Sequence, residues 1–445
     1  MKNKETNFGK LFLNTALVML LAGILFGCLA AASYIWPGFI KDQLGFISMR
    51  PLHVSSALFW ILLGATSCVY YALQAIFPGK VNAKLAWLQW GFWLIAIIGI
   101  YISYFTGNFG GREYWEFEPI WALPIAISWL LFLIQFFSIV MTHKHWPVYY
   151  YMWMTGIVFF LFIFIENYLW LLPYFNKSLI KDMTIQWKVN GSMVGAWNQI
   201  LYGISFFLMD KISGDRKVGY SKIAFTMYFI GFFNLLFNWG HHIYTLPSLP
   251  YIRYIGYAVS MTEWIFFART IYLWKHELIN YHKHYAYFPY RFIMAANFWV
   301  FVNLTLALFM SIPAFNIYTH GTHVTVAHAM GTTIGINTMI ILAATFNFQG
   351  KELEKGDGFL TQNYWILQIG LFILWVALLG AGLEKGIWQM QATRTLFAEM
   401  MAHLKPWFVL FFVGGLLTTL GILGLVIKLF KTQISVTRSH QNRNT

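Results

Sequence analysis

Six histidines lie in or at the ends of long apolar stretches of this 445-residue chain. They are His53, His241, His242, His320, His323 and His328. An ionisable side chain is costly inside a membrane, so each of them is a functional candidate. Neutral imidazole is also the commonest protein ligand of haem iron and of transition metals. The set therefore predicts binding of metal-containing cofactors.

The spacing of these residues indicates which of them can bind the same metal and which must bind different ones. Adjacent residues on an α-helix point about 100° apart, so His241 and His242 can converge on one metal beyond the end of their helix. Residues two apart point about 200° apart, so His328 and Met330 face opposite sides of one helix. Met is an axial ligand of haem iron, as His is. We expect His328 and Met330 to serve two different haems.

The composition identifies the element type that positions these side chains. Apolar residues make up 59% of the chain and charged residues only 10%, against about 25% charged in soluble domains. This excludes a soluble enzyme, a nucleic-acid-binding protein and a disordered chain, despite the net charge of +14. Cys28 and Cys68 both lie in apolar stretches, and no C-x-x-C-H motif is present. A disulfide framework, an iron–sulfur cluster and covalently attached haem are therefore excluded.

The apolar stretches predict an all-α polytopic membrane protein with twelve transmembrane helices, because about 20 residues are needed to cross a bilayer. The predicted spans are 11–36, 52–77, 85–106, 119–142, 147–174, 183–209, 219–243, 251–274, 288–313, 320–347, 361–383 and 406–430. No linker or repeat separates them, so residues 1–445 are expected to form one membrane domain with short tails at about 1–10 and 431–445.

Basic residues predict the orientation. Nineteen Lys and Arg lie in the amino-terminal segment, every second loop and the carboxyl-terminal tail, and nine lie in the other loops. The positive-inside rule then places both termini in the cytoplasm. All six histidines fall in the outer part of the membrane. Glu166, near the outer end of the fifth span, is a further functional candidate because an unpaired acid is costly there. Lys188, near the outer end of the sixth span, is expected to reach the interface.

With these residues the chain resembles the catalytic subunit of the haem–copper oxidase superfamily, in particular the nitric oxide reductases and their C-type oxidase relatives. Arg50-Pro51-Leu52-His53 is similar to the second-helix motif whose His binds the low-spin haem. Gly240-His241-His242 is similar to the seventh-helix pair that binds the active-site metal. Ala327-His328-Ala329-Met330 is similar to the tenth-helix motif, which implies that His328 binds the high-spin haem. His320 and His323 precede it and are expected in the haem surroundings.

Two acidic segments carry the resemblance to nitric oxide reductases. Gly111-Arg112-Glu113-Tyr114 is similar to an outer loop whose first Glu helps to hold calcium, which makes Glu113 a possible calcium ligand. Ser260-Met261-Thr262-Glu263 is similar to an eighth-helix segment that places an acid near the metal. The resemblance thus implies Glu263, together with Glu166, as proton donors.

Two departures from the family pattern bear on the chemistry. Aligning the sixth helix on Trp197 puts Asn190 at the family's third metal-binding His and Val194 at a Glu that approaches the metal. Asn190 is also compatible with a purely structural role, as a buried amide that bonds a neighbouring group. Met330 stands where the family has the second His of the low-spin haem. An amide oxygen is a harder donor than imidazole, so Asn190 favours iron over copper.

The resemblance implies a respiratory oxidoreductase of the bacterial inner membrane that reduces nitric oxide to nitrous oxide. Its expected cofactors are a low-spin haem b on His53 and Met330, a high-spin haem b on His328 and a non-haem iron. A haem-c subunit or soluble cytochrome c is the expected electron donor, and quinol stays open. The alternatives are a nitric oxide dismutase-like enzyme, a C-type terminal oxidase relative, and a haem-binding sensor or assembly subunit without turnover.

Overall fold

A computed structural model describes residues 6–214, 216–261, 288–348 and 357–442, with side chains up to residue 432. The described residues form helices and turns, and Arg112 and Trp115 make an isolated β-bridge. The all-α class predicted from the sequence is confirmed. Glu263 lies outside the described residues.

We number the main helices α1 to α12 in chain order. Their bounds are Phe8–Ile35, Phe46–Ile76, Ala83–Phe105, Ala122–Val140, Val148–Glu166, Leu179–Ser213, Lys222–Phe237, 250–261, Phe288–Ser311, His323–Phe348, Gly358–Met390 and Lys405–Asn442. Helix α8 comprises residues 250–261, at the end of a described range. Short helices at Pro173–Asn176, Pro313–Thr319 and Phe397–His403 lie between them.

Ten helices in the described part of the chain are long and apolar enough to cross a membrane. Helix α6 is not among them although it has 35 residues, because charged and amide side chains interrupt its apolar surface. Helix α8 is described over only 12 residues. Twelve crossings, one membrane domain and two cytoplasmic termini therefore stay predictions.

The chain divides into two compact units. The first unit comprises Met1–Ala16, Leu62–Asn280 and Leu308–Asn316, and contains α3 to α7 with the described part of α8. In this unit α6 packs against both α5 and α7. Gly195 of α6 faces Leu235 of α7, and Gly191, one turn earlier, faces His242 in the segment after α7, so small residues let these segments approach closely.

The second unit comprises Leu17–Ile61, Tyr281–Ala307 and Ile317–Thr445, and contains α10, α11 and α12 with most of α9. Helices α11 and α12 pack along one another through glycines. A Cβ at Gly370 would lie 2.6 Å from Thr418 N, and one at Gly421 would lie 2.6 Å from Leu367 N. Such close backbone approach is typical of helix pairs in membranes, where burial of apolar surface does not drive association.

Helix α10 changes its hydrogen-bond pattern along its length. Residues His323–Met330 are α-helical, Gly331–Thr338 form a π-helix and Met339–Phe348 are α-helical again. The sequence predicted a uniform span at 320–347, so the π-helix was not foreseen. π-Helical turns are rare and occur frequently at functional sites. This one begins directly after Met330.

Candidate metal and haem sites

In the first unit, α7 ends at Phe237 and the chain continues as a 3₁₀-helix over Asn238–Ile243. This segment carries His241 and His242. A 3₁₀-helix has three residues per turn, so adjacent side chains point about 120° apart, slightly more than in the α-helix predicted for this segment. The two imidazole rings lie side by side, with centroids 4.3 Å apart and planes 32° apart. Their convergence on one metal ion stays a prediction.

Neighbouring amides orient His241. Its Nδ1 lies 3.1 Å from Asn238 Oδ1, which also accepts a hydrogen bond from the Ser260 hydroxyl. Asn316 Nδ2 donates to the His241 carbonyl at 3.3 Å. With the Asn238 oxygen as acceptor, His241 carries its proton on Nδ1, and Nε2 has the lone pair that a metal requires. Asn238 was not predicted from the sequence, because an amide three residues before a histidine has no distinctive pattern.

Asn190 of α6 lies beside this pair. A Cβ at the next residue, Gly191, would lie 2.5 Å from His242 Cδ2 and 2.7 Å from His242 Nε2. The imidazole of His242 therefore rests on the α6 backbone one residue from Asn190. The Oδ1 atom of Asn190 is buried and has no hydrogen-bond partner within the described residues. The structure thus places the backbone of Asn190 next to His242, and the role of Asn190 as a metal ligand stays a prediction.

This arrangement fits a metal ion. A buried carbonyl oxygen without a hydrogen-bond partner is costly, and coordination to a cation removes that cost. No group of three or more His, Cys, Asp or Glu in the described part of the chain is placed to hold a metal. The amide of Asn190 is a donor of another type, and its binding to a metal together with His241 and His242 stays a prediction.

Tyr244 follows the histidine segment directly. Its hydroxyl is buried and has no hydrogen-bond partner among the residues described, and Arg253 Nη2 donates to its carbonyl at 2.9 Å. Burial raises the pKa of Tyr244 to about 12. The phenol therefore stays protonated at physiological pH.

Glu166, the last residue of α5, forms an ion pair with Lys188 of α6. The expectation of an unpaired acid was wrong, because a cation from the next predicted span reaches it. Lys188 Nζ also lies 5.8 Å from the ring centroid of Trp239, in the 3₁₀-helix that carries the histidines. The pair thus links α5 and α6 to the histidine segment, and Lys188 does more than reach the interface.

In the second unit, α1 holds His53 of α2 in one orientation. The His53 Nδ1 atom lies 2.7 Å from the Gly23 carbonyl oxygen, which can only accept, so Nδ1 carries the proton. A Cβ at Gly27 would lie 2.7 Å from the same Nδ1, so the ring packs on the α1 backbone. Haem-binding and metal-binding histidines usually donate their second N–H to a carbonyl, and His53 fits that pattern.

His328 and Met330 lie in the α-helical first part of α10, so the prediction that they face opposite sides of one helix is consistent with the structure. The backbone of this turn is held from α9. Asn303 Nδ2 donates to the His328 carbonyl at 3.1 Å and to Thr332 Oγ1 at 2.8 Å. The Nδ1 atom of His328 is buried without a hydrogen-bond partner within the described residues.

A hydrogen bond sets the register between α2 and α10. Trp60 Nε1 donates to Thr338 Oγ1 at 2.8 Å. His53 precedes Trp60 by seven residues and Met330 precedes Thr338 by eight, about two turns in each helix. In the predicted topology α2 and α10 both run from the outer to the inner side of the membrane. The hydrogen bond between Trp60 and Thr338 therefore favours similar membrane depths for His53 and Met330.

His323 is the first residue of α10, and His320 lies in the turn before it. The ring of His323 contacts Tyr34 and Phe408 edge-on, with centroids 5.8 Å and 5.2 Å apart. His320 lies three residues earlier and is half-buried. Their place in the haem surroundings stays a prediction.

Glu113 lies on an exposed loop in the first unit. The turn is tight: Tyr114 has a φ of 70°, and the amides of Gly110 and Gly111 donate to the Glu116 carbonyl. Next to Glu113, Arg112 makes a two-point ion pair with Asp182, at 3.1 and 2.7 Å. A calcium ligand role for Glu113 stays a prediction.

Comparison with known proteins identifies the family. The family described as cytochrome c and quinol oxidase polypeptide I matches residues 7–417. The chain belongs to this family. The resemblance to the haem–copper oxidase superfamily is thereby confirmed. A solved heme-copper terminal oxidase dimer superposes with a TM-score of 0.76 at 17% identity, covering 96% of this chain and 84% of that one, which shows the shared fold.

Curated family relatives include both oxidases and a nitric oxide reductase. A nitric oxide reductase chain of Stutzerimonas stutzeri is 23% identical over 92% of this chain and 90% of its own length. The cbb3-type cytochrome c oxidase subunit CcoN1 of the same organism is 23% identical, over 93% and 91%. The cytochrome c oxidase subunit 1 homolog of Agrobacterium tumefaciens (strain T37) is 24% identical, over 90% and 78%.

The first prediction concerns Asn190. Asn190→Ala removes the amide oxygen, so the non-haem metal is expected to be lost while both haems are retained. Asn190→His supplies a third imidazole and should tighten metal retention and admit copper. Elemental analysis of the purified variants checks both. Full metal occupancy in Asn190→Ala would show that this residue is not a ligand.

The second prediction uses the contact between α6 and His242. Gly191→Ala places a methyl group against the imidazole, which must move, and metal affinity should fall by roughly 10–100-fold. Gly195→Ala, one turn further along α6, is the matched control, because its methyl group meets the flexible end of Leu235 at 3.0 Å. Competition with a chelator measures both affinities. Equal metal affinities in the two variants would show that His242 does not bind the metal.

The third prediction concerns Met330. A thioether donates less charge to ferric iron than imidazole does, so a His/Met haem has a higher potential than a bis-His haem. Met330→His should lower the midpoint potential of the low-spin haem and abolish the near-infrared band of Met–iron ligation. If the unmodified protein already shows a bis-His spectrum, Met330 is not the ligand and His320 or His323 takes its place.

Proposed function

We propose that this chain is the catalytic subunit of a membrane enzyme that reduces nitric oxide to nitrous oxide. The observation that carries the proposal is the donor set beside α6: two imidazoles and a buried amide oxygen without a hydrogen-bond partner within the described residues. His241, His242 and Asn190 would hold a non-haem metal, His328 a high-spin haem b, and His53 with Met330 a low-spin haem b.

The donor set favours iron over copper at the non-haem site. Reduced copper prefers soft donors, whereas an amide oxygen is hard and weakly donating. When bound, a redox-active metal and a haem iron can each take up one small diatomic molecule or supply it with electrons. Val194 stands where nitric oxide reductases have a Glu, so protons must come from other side chains.

The stoichiometry of the reaction sets how many electrons and protons the protein must deliver. Two nitric oxide molecules, two electrons and two protons give one nitrous oxide and one water. Glu263 and Glu166 are the proposed proton donors from the outer side. The ion pair with Lys188 holds the carboxylate of Glu166 in place.

The proposed electron entry follows from the low-spin haem ligands. A Met ligand raises the haem potential, which suits a high-potential donor such as a haem-c subunit or a soluble cytochrome c better than quinol. Docking on the outer face near Glu113 would place that donor on the haem side of the bilayer. Both the nitric oxide reductase and the cbb3-type relatives support an enzyme of the bacterial inner membrane.

A second candidate function is nitric oxide dismutation to dinitrogen and dioxygen. Asn190 and Val194 favour dismutation, because they replace a His ligand and a Glu carboxylate that would serve proton-coupled reduction. Dismutation itself needs no net protons or electrons. An oxygen-reducing C-type relative and a haem-binding subunit without turnover are the remaining alternatives.

One experiment separates these functions. Purified protein is given isotopically labelled nitric oxide with and without an electron donor, and the gases are measured by mass spectrometry. Labelled nitrous oxide that forms only with donor supports reduction. Dioxygen and dinitrogen without donor would establish dismutation, and no gas product in either condition would overturn enzymatic turnover of nitric oxide.

A further inference from the structure

Helix α10 changes from α-helical to π-helical geometry within the turn that carries two of the predicted haem ligands. Its first α-helical part ends at Met330, two residues after His328, and the π-helix begins at Gly331. The Gly331 amide is shared between the carbonyls of Ala327 and His328. Because the regular series of helical hydrogen bonds is interrupted there, the backbone at His328 needs support from outside the helix.

Asn303 of α9 supplies that support with both hydrogens of its amide nitrogen. Its Nδ2 atom donates to the His328 carbonyl at 3.1 Å and to Thr332 Oγ1 at 2.8 Å. The Thr332 hydroxyl, which accepts from Asn303, donates in turn to the same His328 carbonyl at 3.1 Å. We call Asn303 and Thr332 the amide clamp. Its hydrogen bonds converge on the His328 carbonyl from two helices.

The amide clamp is tightly packed, because α9 lies against glycines of α10 at two successive turns. A Cβ at Gly331 would lie 2.4 Å from Asn303 Oδ1. A Cβ at Gly335 would lie 2.5 Å from Trp299 Cγ. Trp299 is fully buried, and its Nε1 donates to Gln368 Oε1 of α11 at 3.1 Å. Asn303 itself is 2% exposed, so its amide group has little room to turn.

An asparagine at position 303 is costly if its role is packing alone. Asn303 Oδ1 is buried and has no hydrogen-bond partner within the described residues. Leucine has nearly the same shape as asparagine and would leave no such oxygen unpaired. A polar side chain that carries this cost inside a membrane protein is a functional candidate. Here its donors are directed at the backbone of a predicted haem ligand.

The location of the amide clamp matters because the turn it holds is predicted to bind two haems. His328 and Met330 are expected on opposite sides of α10, so any rotation of the turn displaces both ligating atoms at once. A rotation of about 10° moves an atom at side-chain distance from the helix axis by roughly 1 Å. Ligands of a functional site must be held within about 0.5 Å of their working geometry. Small rotations of this turn are therefore harmful.

We propose that Asn303 is a positioning residue for the high-spin haem, because its amide fixes the turn from which His328 reaches the iron. The inference rests on the proposed function through His328 alone, since it concerns the direction of that ligand and not the gas that is converted. With the amide clamp, His328 has one orientation toward the iron. Without it, the turn adopts several orientations, and the strength of the iron–histidine bond varies among molecules.

Asn303→Leu tests this role, because it removes both donors and keeps the shape of the side chain. In the reduced holoenzyme we expect the iron–histidine stretching band of the resonance Raman spectrum to shift and broaden, while the haem content stays unchanged. The near-infrared band of Met330–iron ligation should fall roughly twofold or more, the smallest change expected from one lost hydrogen bond. An unchanged iron–histidine band in this variant would overturn the proposal.

Hydroxyl variants of α10 test the amide clamp without altering Asn303. Thr332→Val should shift the iron–histidine band as Asn303→Leu does, and Thr332→Ser, which keeps the hydroxyl, should leave the band unchanged. Thr345→Val is the matched control, because Thr345 is buried in the same helix and its hydroxyl donates to the Ile341 carbonyl at 2.8 Å. If Thr345→Val shifts the band as much as Thr332→Val does, the effect is a general loss of helix packing and the proposal is wrong.

Amide hydrogen exchange of the holoenzyme separates this inference from the proposed function, because it requires no turnover of gas. In Asn303→Leu, the amides of residues 329–333 should exchange roughly tenfold faster, as expected from the loss of two hydrogen bonds. The amides of residues 339–346 should keep their rates. If these changes accompany a shifted iron–histidine band in a protein that converts no nitric oxide, only the proposed function fails. Faster exchange with an unchanged iron–histidine band would make Asn303 a merely structural residue and overturn the inference.

Discussion

The cost of an unsatisfied polar group in a low-dielectric interior shapes both candidate sites. The rings of His53, His241 and His242 are each oriented by a nearby carbonyl or amide, or rest on a glycine backbone. The Gly23 carbonyl receives His53, and the Asn238 amide receives His241. Such partners fix the tautomer and the orientation of the ring.

The same cost explains the role given to Asn190. Its carbonyl oxygen is buried without a partner within the described residues, yet it stands one residue from the backbone that supports His242. A structural amide would be expected to bond a neighbour, which was the competing interpretation at the sequence level. The described residues show no such neighbour, and a ligand role for Asn190 stays a prediction.

Several features could be predicted from sequence because they depend on residue type and spacing alone. The apolar stretches indicated the helices, and the histidine pair followed by Ala327-His328-Ala329-Met330 indicated the family. Contacts between distant helices could not be predicted. The ion pair of Glu166 with Lys188 joins residues 22 apart, and no periodicity signals it. The 3₁₀-helix at His241 and the π-helix after Met330 were missed because their residues have no distinctive local pattern.

The central claim is that His241, His242 and Asn190 hold a non-haem iron, and metal stoichiometry tests it most directly. Purified protein is measured for iron, copper and extractable haem in the same sample. The account predicts one iron per chain in excess of haem iron and no copper, with an X-ray absorption spectrum of nitrogen and oxygen donors for that iron. Iron equal to haem, or copper at one atom per chain, would contradict it.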